Sequence, residues 1–200
     1  MRFYRHSLFA LLFLACSVWA AEPVNPDTVQ ARIQAEQGKK QAFADALWRY
    51  LGAERGRKQR LDEAADRLYD LAFKEYSASD KLPDTASVGL PPWQEALSPL
   101  RTLGLSPAAA NSLKALEQIM KEAALALSAI PAVAADATPL QRVERQRALM
   151  TAASALGTLK QRAWSLDGQL EEEARRAASG ARLLGTQTLM LPAAPKGEKQ

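Results

Sequence analysis

Proline placement decides where this chain can be helical. Beyond the first 20 residues, its 11 prolines leave three long stretches without one, residues 27–82, 108–130 and 140–191. Proline breaks a helix interior but suits the first turn, where its missing N–H is no loss. Long helices can therefore run only in those three windows. Alanine fills them. There are 36 alanines after residue 20, and alanine is the strongest helix former. Val, Ile, Thr and aromatic residues, which favour strands, are sparse. The expected fold is all-α, an elongated helical bundle with long N-terminal and C-terminal helices and short helices between them.

Before the first window lies a leader. Arg2 and Arg5 precede an apolar run from Leu8 to Cys16, and small residues follow at Ala20 and Ala21. That order matches a secretory signal peptide cut after Ala20. The run is shorter than the ~20 residues a bilayer span needs. The expected domains are a signal peptide at 1–20, one helical domain at 21–191 and a disordered tail at 192–200. The expected location is periplasmic or secreted. An alternative is a lipoprotein anchored at Cys16, because Phe13-Leu14-Ala15-Cys16 is a distorted lipobox.

Removing the leader removes His6 and Cys16, the only histidine and the only cysteine. The remaining chain then lacks the usual ligands of zinc, copper and haem. It also lacks the groups for a disulfide or for Cys–His and Ser–His–Asp catalysis. No cofactor and no metal are expected. The full chain has 26 Lys and Arg against 22 Asp and Glu; losing Arg2 and Arg5 leaves a net charge of +2. That charge steers acidic partners weakly, and no nucleic acid is expected.

Within the first window, Asn25 can cap a helix that has Pro26 at its first position. Gly52 and Gly56 predict a break or kink near Gly56, with one continuous helix as the alternative. From Leu61 the apolar residues Leu61, Ala64, Ala65, Leu68, Leu71, Ala72 and Tyr76 share a face. Residues 77–92 carry turn formers and predict a connection. A short helix is expected from Trp93 to about Leu103, ended by Gly104. Ser106-Pro107 and Thr138-Pro139 each predict a helix start. In the last window Leu149, Leu156, Ala163, Leu170, Ala177 and Leu184 recur every seven residues, with Ala152, Leu159 and Leu166 between them. That seam predicts coiled-coil-like packing, within the chain or between copies. Gly157, Gly168, Gly180 and Gly185 interrupt the helix as candidate close-contact points.

Candidate sites stand beside plainer readings. Asp62, Asp66 and Asp70 lie at i, i+4, i+8, a carboxylate row for a hard cation or simply a solvated face near Arg67 and Lys74. Arg55, Arg57, Lys58 and Arg60 form a dense basic cluster, and Arg142, Arg145 and Arg147 a second. Either can meet anionic lipid or an acidic partner, or be ordinary helix surface. Glu171–Arg175 and Glu172–Arg176 are helix-supporting pairs. Trp48 and Trp164 border apolar stripes and are expected in the core. Trp93 follows Leu90-Pro91-Pro92 at a junction where a partner could reach it, with core packing as its plainer reading.

The expected function follows from this inventory. It is an exported, non-enzymatic interaction or scaffold protein of the bacterial cell envelope, such as an accessory component of a secretion or conjugation apparatus. Its partners would be other envelope proteins, with self-association through the last helix. Two alternatives are a periplasmic chaperone and a cell-wall hydrolase working with paired carboxylates.

Overall fold

The computed structural model describes residues 26–53, 55–73, 81–132 and 137–190. The expected leader, Cys16 and the expected tail lie outside them, as do Lys74 and Tyr76. Among the described residues there is no strand. The described residues form six α-helices in order: α1 (Pro26–Ala53), α2 (Arg55–Phe73), α3 (Thr85–Val88), α4 (Leu90–Leu97), α5 (Pro107–Ser128) and α6 (Pro139–Met190), with a 3-10 helix at Ser98–Thr102 between α4 and α5. The chain is an all-α helical bundle.

Helix α6 is the spine. Its 52 residues extend about 78 Å at ~1.5 Å per residue. Helices α1 and α2 run antiparallel along it in one register. Lys40 of α1 lies against Gly180, and Asp62 of α2 pairs with Lys160. Each advance along α1 and α2 is matched by a retreat along α6. Helix α5 packs on another side of the same spine. The short helices α3 and α4 wedge between α2 and α5: Arg60 of α2 touches Gly89, and Leu90 and Pro91 share a cleft with Met120 and Ala124.

The core runs continuously through these contacts. Leu47, Leu61, Leu68, Leu97, Leu116, Leu149, Leu156, Leu159, Leu166 and Leu170 are all buried. On the spine, Leu149, Leu156, Ala163 and Leu170 face inward, while Ala177 and Leu184 are half-buried and Ala174 and Ala181 take the buried positions. At ~3.6 residues per turn a straight helix drifts against a strict seven-residue repeat, so the inward face moves on by a residue.

Helix ends follow the expected chemistry. Ser106 caps α5 by accepting from the Ala109 N–H, and Pro107 takes the first position. Thr138 plays the same part ahead of Pro139, exchanging hydrogen bonds with Gln141. Gly104 adopts φ +65, a left-handed conformation that ends the preceding turn. The connection held one surprise. Asp84 and Ser87 form a reciprocal cap that starts α3, and the Ser87 amide and hydroxyl hold the Asp84 carboxyl below its usual range. Helix α4 then begins at Leu90 rather than Trp93, because Pro91 and Pro92 fit its first turn. Its continuation past Leu97 is 3-10, starting with Pro99 in the first turn.

Candidate interaction site

The basic cluster sits where α1 passes into α2, and the fold uses its members to join elements. Arg57 lies over the Tyr50 ring of α1, 5.8 Å from its centroid. Lys58 makes an ion pair with Asp167 of α6. Arg60 lays its guanidinium against Gly89, where a Cβ would sit a tight 3.3 Å from Arg60 Nε and where a φ of +78 strains any side-chain-bearing residue. The side chain of Arg55 lies outside the described residues. Three of the four cations therefore face three different elements.

Trp93 belongs to the core, not to a reachable junction. It is 1% exposed, and its indole N–H donates to the Tyr50 hydroxyl at 3.2 Å. Its position at the start of α4 aims the ring inward, because α4 is the wedge. Trp48 and Trp164 went the other way. They are 41% and 57% exposed. Each sits one residue from a buried seam, and one residue turns a side chain ~100° around the helix axis. Trp164 instead shields two ammonium groups, Lys160 at 5.1 Å and Lys58 at 5.9 Å from its ring centroid.

The carboxylates divide by partner. Asp62 takes Lys160 Nζ on both oxygens, at 2.5 and 2.7 Å. Asp66 and Asp70 stay on the exposed face. Among the described residues no three His, Cys, Asp or Glu side chains stand together in a way that could hold a metal ion. Asp167 is the unusual acid. Burial pushes its carboxyl above the ordinary range, against the pull of Lys58 and then Arg57. One of its oxygens takes Lys58, and the other is buried without a hydrogen-bond partner among the described residues. Asp167 thus faces a lysine rather than a second acid across a cleft. In the second basic cluster Arg142 and Arg147 are exposed, but Arg145 is 6% exposed and belongs to the packed face of α6.

Sequence reasoning missed a groove farther along α6. The first part of α1, the last part of α6 and the turn before α5 enclose an open groove of about 710 Å³. Phe43, Leu103 and Ala177 supply apolar lining, and Lys39, Lys40 and Arg176 supply charge. The turn is held in place by Glu173, which accepts from the Ser106 amide at 3.2 Å and from the Ser106 hydroxyl. The three contributing segments are each about 60 or more positions from the next, so no local pattern could reveal the groove. Gly180 and Gly185 were the available hint. Both meet α1, at Lys40 and Gln37, whereas Gly157 and Gly168 have open space beside them.

No family model matches the chain, and no curated protein or solved structure is similar enough to it to lend a fold or a function.

Proposed function

We propose that the protein is an exported helical interaction protein of the bacterial cell envelope, serving as an accessory component of a larger assembly such as a secretion or conjugation apparatus. The leader at 1–20 motivates export. One structural observation carries the interaction reading. Past the start of α5, α1 and α6 are the only described helices that pack on each other, forming a two-helix arm with the groove at its base. The buried side chains of α1 begin only at Ala44, and Val29 and Ile33 are merely half-covered. Partly covered apolar residues along a projecting arm are what a partner surface uses.

In-cell cross-linking of C-terminally tagged protein, followed by mass spectrometry, tests the proposal. Repeated recovery of one set of envelope proteins is the expected outcome. Recovery of many unrelated exported chains would replace it with a chaperone. Recovery of this chain alone would remove it.

A further inference from the structure

We propose that the outer face of the first turns of α6 seats the protein on an anionic phospholipid surface, its aliphatic side chains entering the headgroup layer and Arg142 and Arg147 meeting the lipid phosphates. The inference goes beyond the interaction reading and does not depend on it.

At this end α6 is apolar on two faces. Leu149, Ala152 and Leu156 open its inner face, and all three are buried. Leu140, Val143, Arg147 and Met150 follow one another at helical spacing, so they form a second stripe. At ~100° per residue that stripe points roughly away from the buried face. Leu140 is 68% exposed, Val143 42% and Met150 40%. Leu125 of α5 stands beside them, also 68% exposed, one turn on from Glu122, which shares a cleft with Met150. All four are aliphatic. The exposed aromatic side chains, Trp48, Tyr69, Phe73 and Trp164, are elsewhere. Protein interfaces are rich in aromatic side chains, whereas aliphatic chains beside arginines are what a helix lying on a membrane places among the lipids. Among the described residues no helix is long and apolar enough to cross a membrane, so these turns would lie on its surface.

Charge selects the occupant. The first turns of α6 carry Arg142, Arg145 and Arg147 against Glu144. Arg145 turns inward, but Arg142 and Arg147 are exposed, and neither side chain has an ion-pair partner among the described residues. Arg142 does not serve the helix. It stands at the positive end of the α6 dipole, where an acid would suit better and where the first turn has none. Glu144 stands seven residues before Thr151, which faces the α5 cleft, so it lies at the edge of the stripe. On α5, Lys121 and Glu122 cancel. The last acids of α2, Asp66 and Asp70, follow Asp62 along the Lys160 flank of α6, away from the stripe. Two free guanidinium groups beside four exposed aliphatic side chains match a surface that offers phosphates above hydrocarbon.

Vesicle co-sedimentation tests this, using the protein purified in the form the cell accumulates. One set of vesicles is an equal mixture of phosphatidylglycerol and phosphatidylcholine, the other phosphatidylcholine alone. The protein should sediment with the anionic vesicles and weakly or not at all with the neutral ones, and high salt should release it. Each arginine near an anionic surface is worth about fivefold in affinity, so Arg142→Glu with Arg147→Glu should weaken binding by more than about tenfold. Leu140→Ser with Val143→Ser, at exposed positions, should weaken it with no charge altered. Arg32→Glu with Arg49→Glu, on α1, reverses as much charge away from the stripe and should leave most of the binding. Circular dichroism checks that each variant keeps the fold. Equal binding to both vesicles, binding to neither, unchanged binding by both stripe variants, or an equal loss in the α1 variant would overturn the proposal. A photo-cross-linker placed at Leu140 in cells should capture lipid; capture of a protein there would overturn it in favour of a protein partner. The vesicle assay contains no other protein, so its failure leaves the interaction reading standing, and failure of that reading leaves the vesicle result untouched.

Discussion

Tyr50 and Trp93 each carry a polar atom into the core, and each supplies what the other needs. The indole N–H is a donor only, and the Tyr50 hydroxyl accepts it. Tyr50→Phe would keep the ring under Arg57 but leave the indole N–H buried without its acceptor. The expected loss is about 1–3 kcal/mol of unfolding free energy. In a Trp93→Phe background the same change should cost much less, since no buried donor is then stranded. Urea denaturation of the four proteins closes this cycle. Additive losses would show that the hydrogen bond contributes nothing of its own. Neither partner choice was legible in the sequence. They are 43 positions apart, and their meeting depends on α4 turning back onto α1. The exposure of Trp48 and Trp164 was hidden for a related reason. A stripe of leucines shows which face is buried but not how far a large ring one residue away extends beyond the rim.

Helix α2 is tied to α6 by two ion pairs a turn apart, Lys58–Asp167 and Asp62–Lys160, with the Trp164 ring beside both lysines. The Asp167 pair is the more buried and carries a pH signature. In the unfolded chain its carboxyl titrates near ~3.9. In the fold burial raises it. Between those two values the folded protein holds a proton that the unfolded chain has released, so stability falls as pH rises through that window. Asp167→Asn should flatten the dependence there, as read by urea unfolding at a series of pH values. An unchanged slope would show that Lys58, not burial, governs the carboxyl. At this scale much of the fold was legible. Pro107 and Pro139 with their caps placed the starts of α5 and α6, because backbone chemistry is local. The Leu149–Leu170 face was visible because periodicity is local too. The roles of Arg57, Lys58 and Arg60 were not. A run of cations looks alike whether it faces solvent or three separate elements.

The whole molecule joins two regions of unequal depth. In the body, α1–α2, α5 and the wedge of α3 and α4 surround α6, and nearly all the buried leucines lie there. In the arm, two helices share an alanine and glycine face, with Ala174 and Ala181 its buried apolar residues on α6. Burying apolar area contributes about 25 cal/mol per Å², and alanine offers little area. An isolated helix pair of this kind also lacks the tertiary support that stabilises most helices. The arm should therefore open locally without global unfolding. Hydrogen exchange followed by mass spectrometry should show amides at 29–40 and 178–187 exchanging well before those at 61–72 and 149–170. The order follows from side-chain depth, because both regions have the same backbone hydrogen bonding. Arm and body exchanging alike in the free protein would overturn this account, because two alanine-faced helices alone do not match the body's packing.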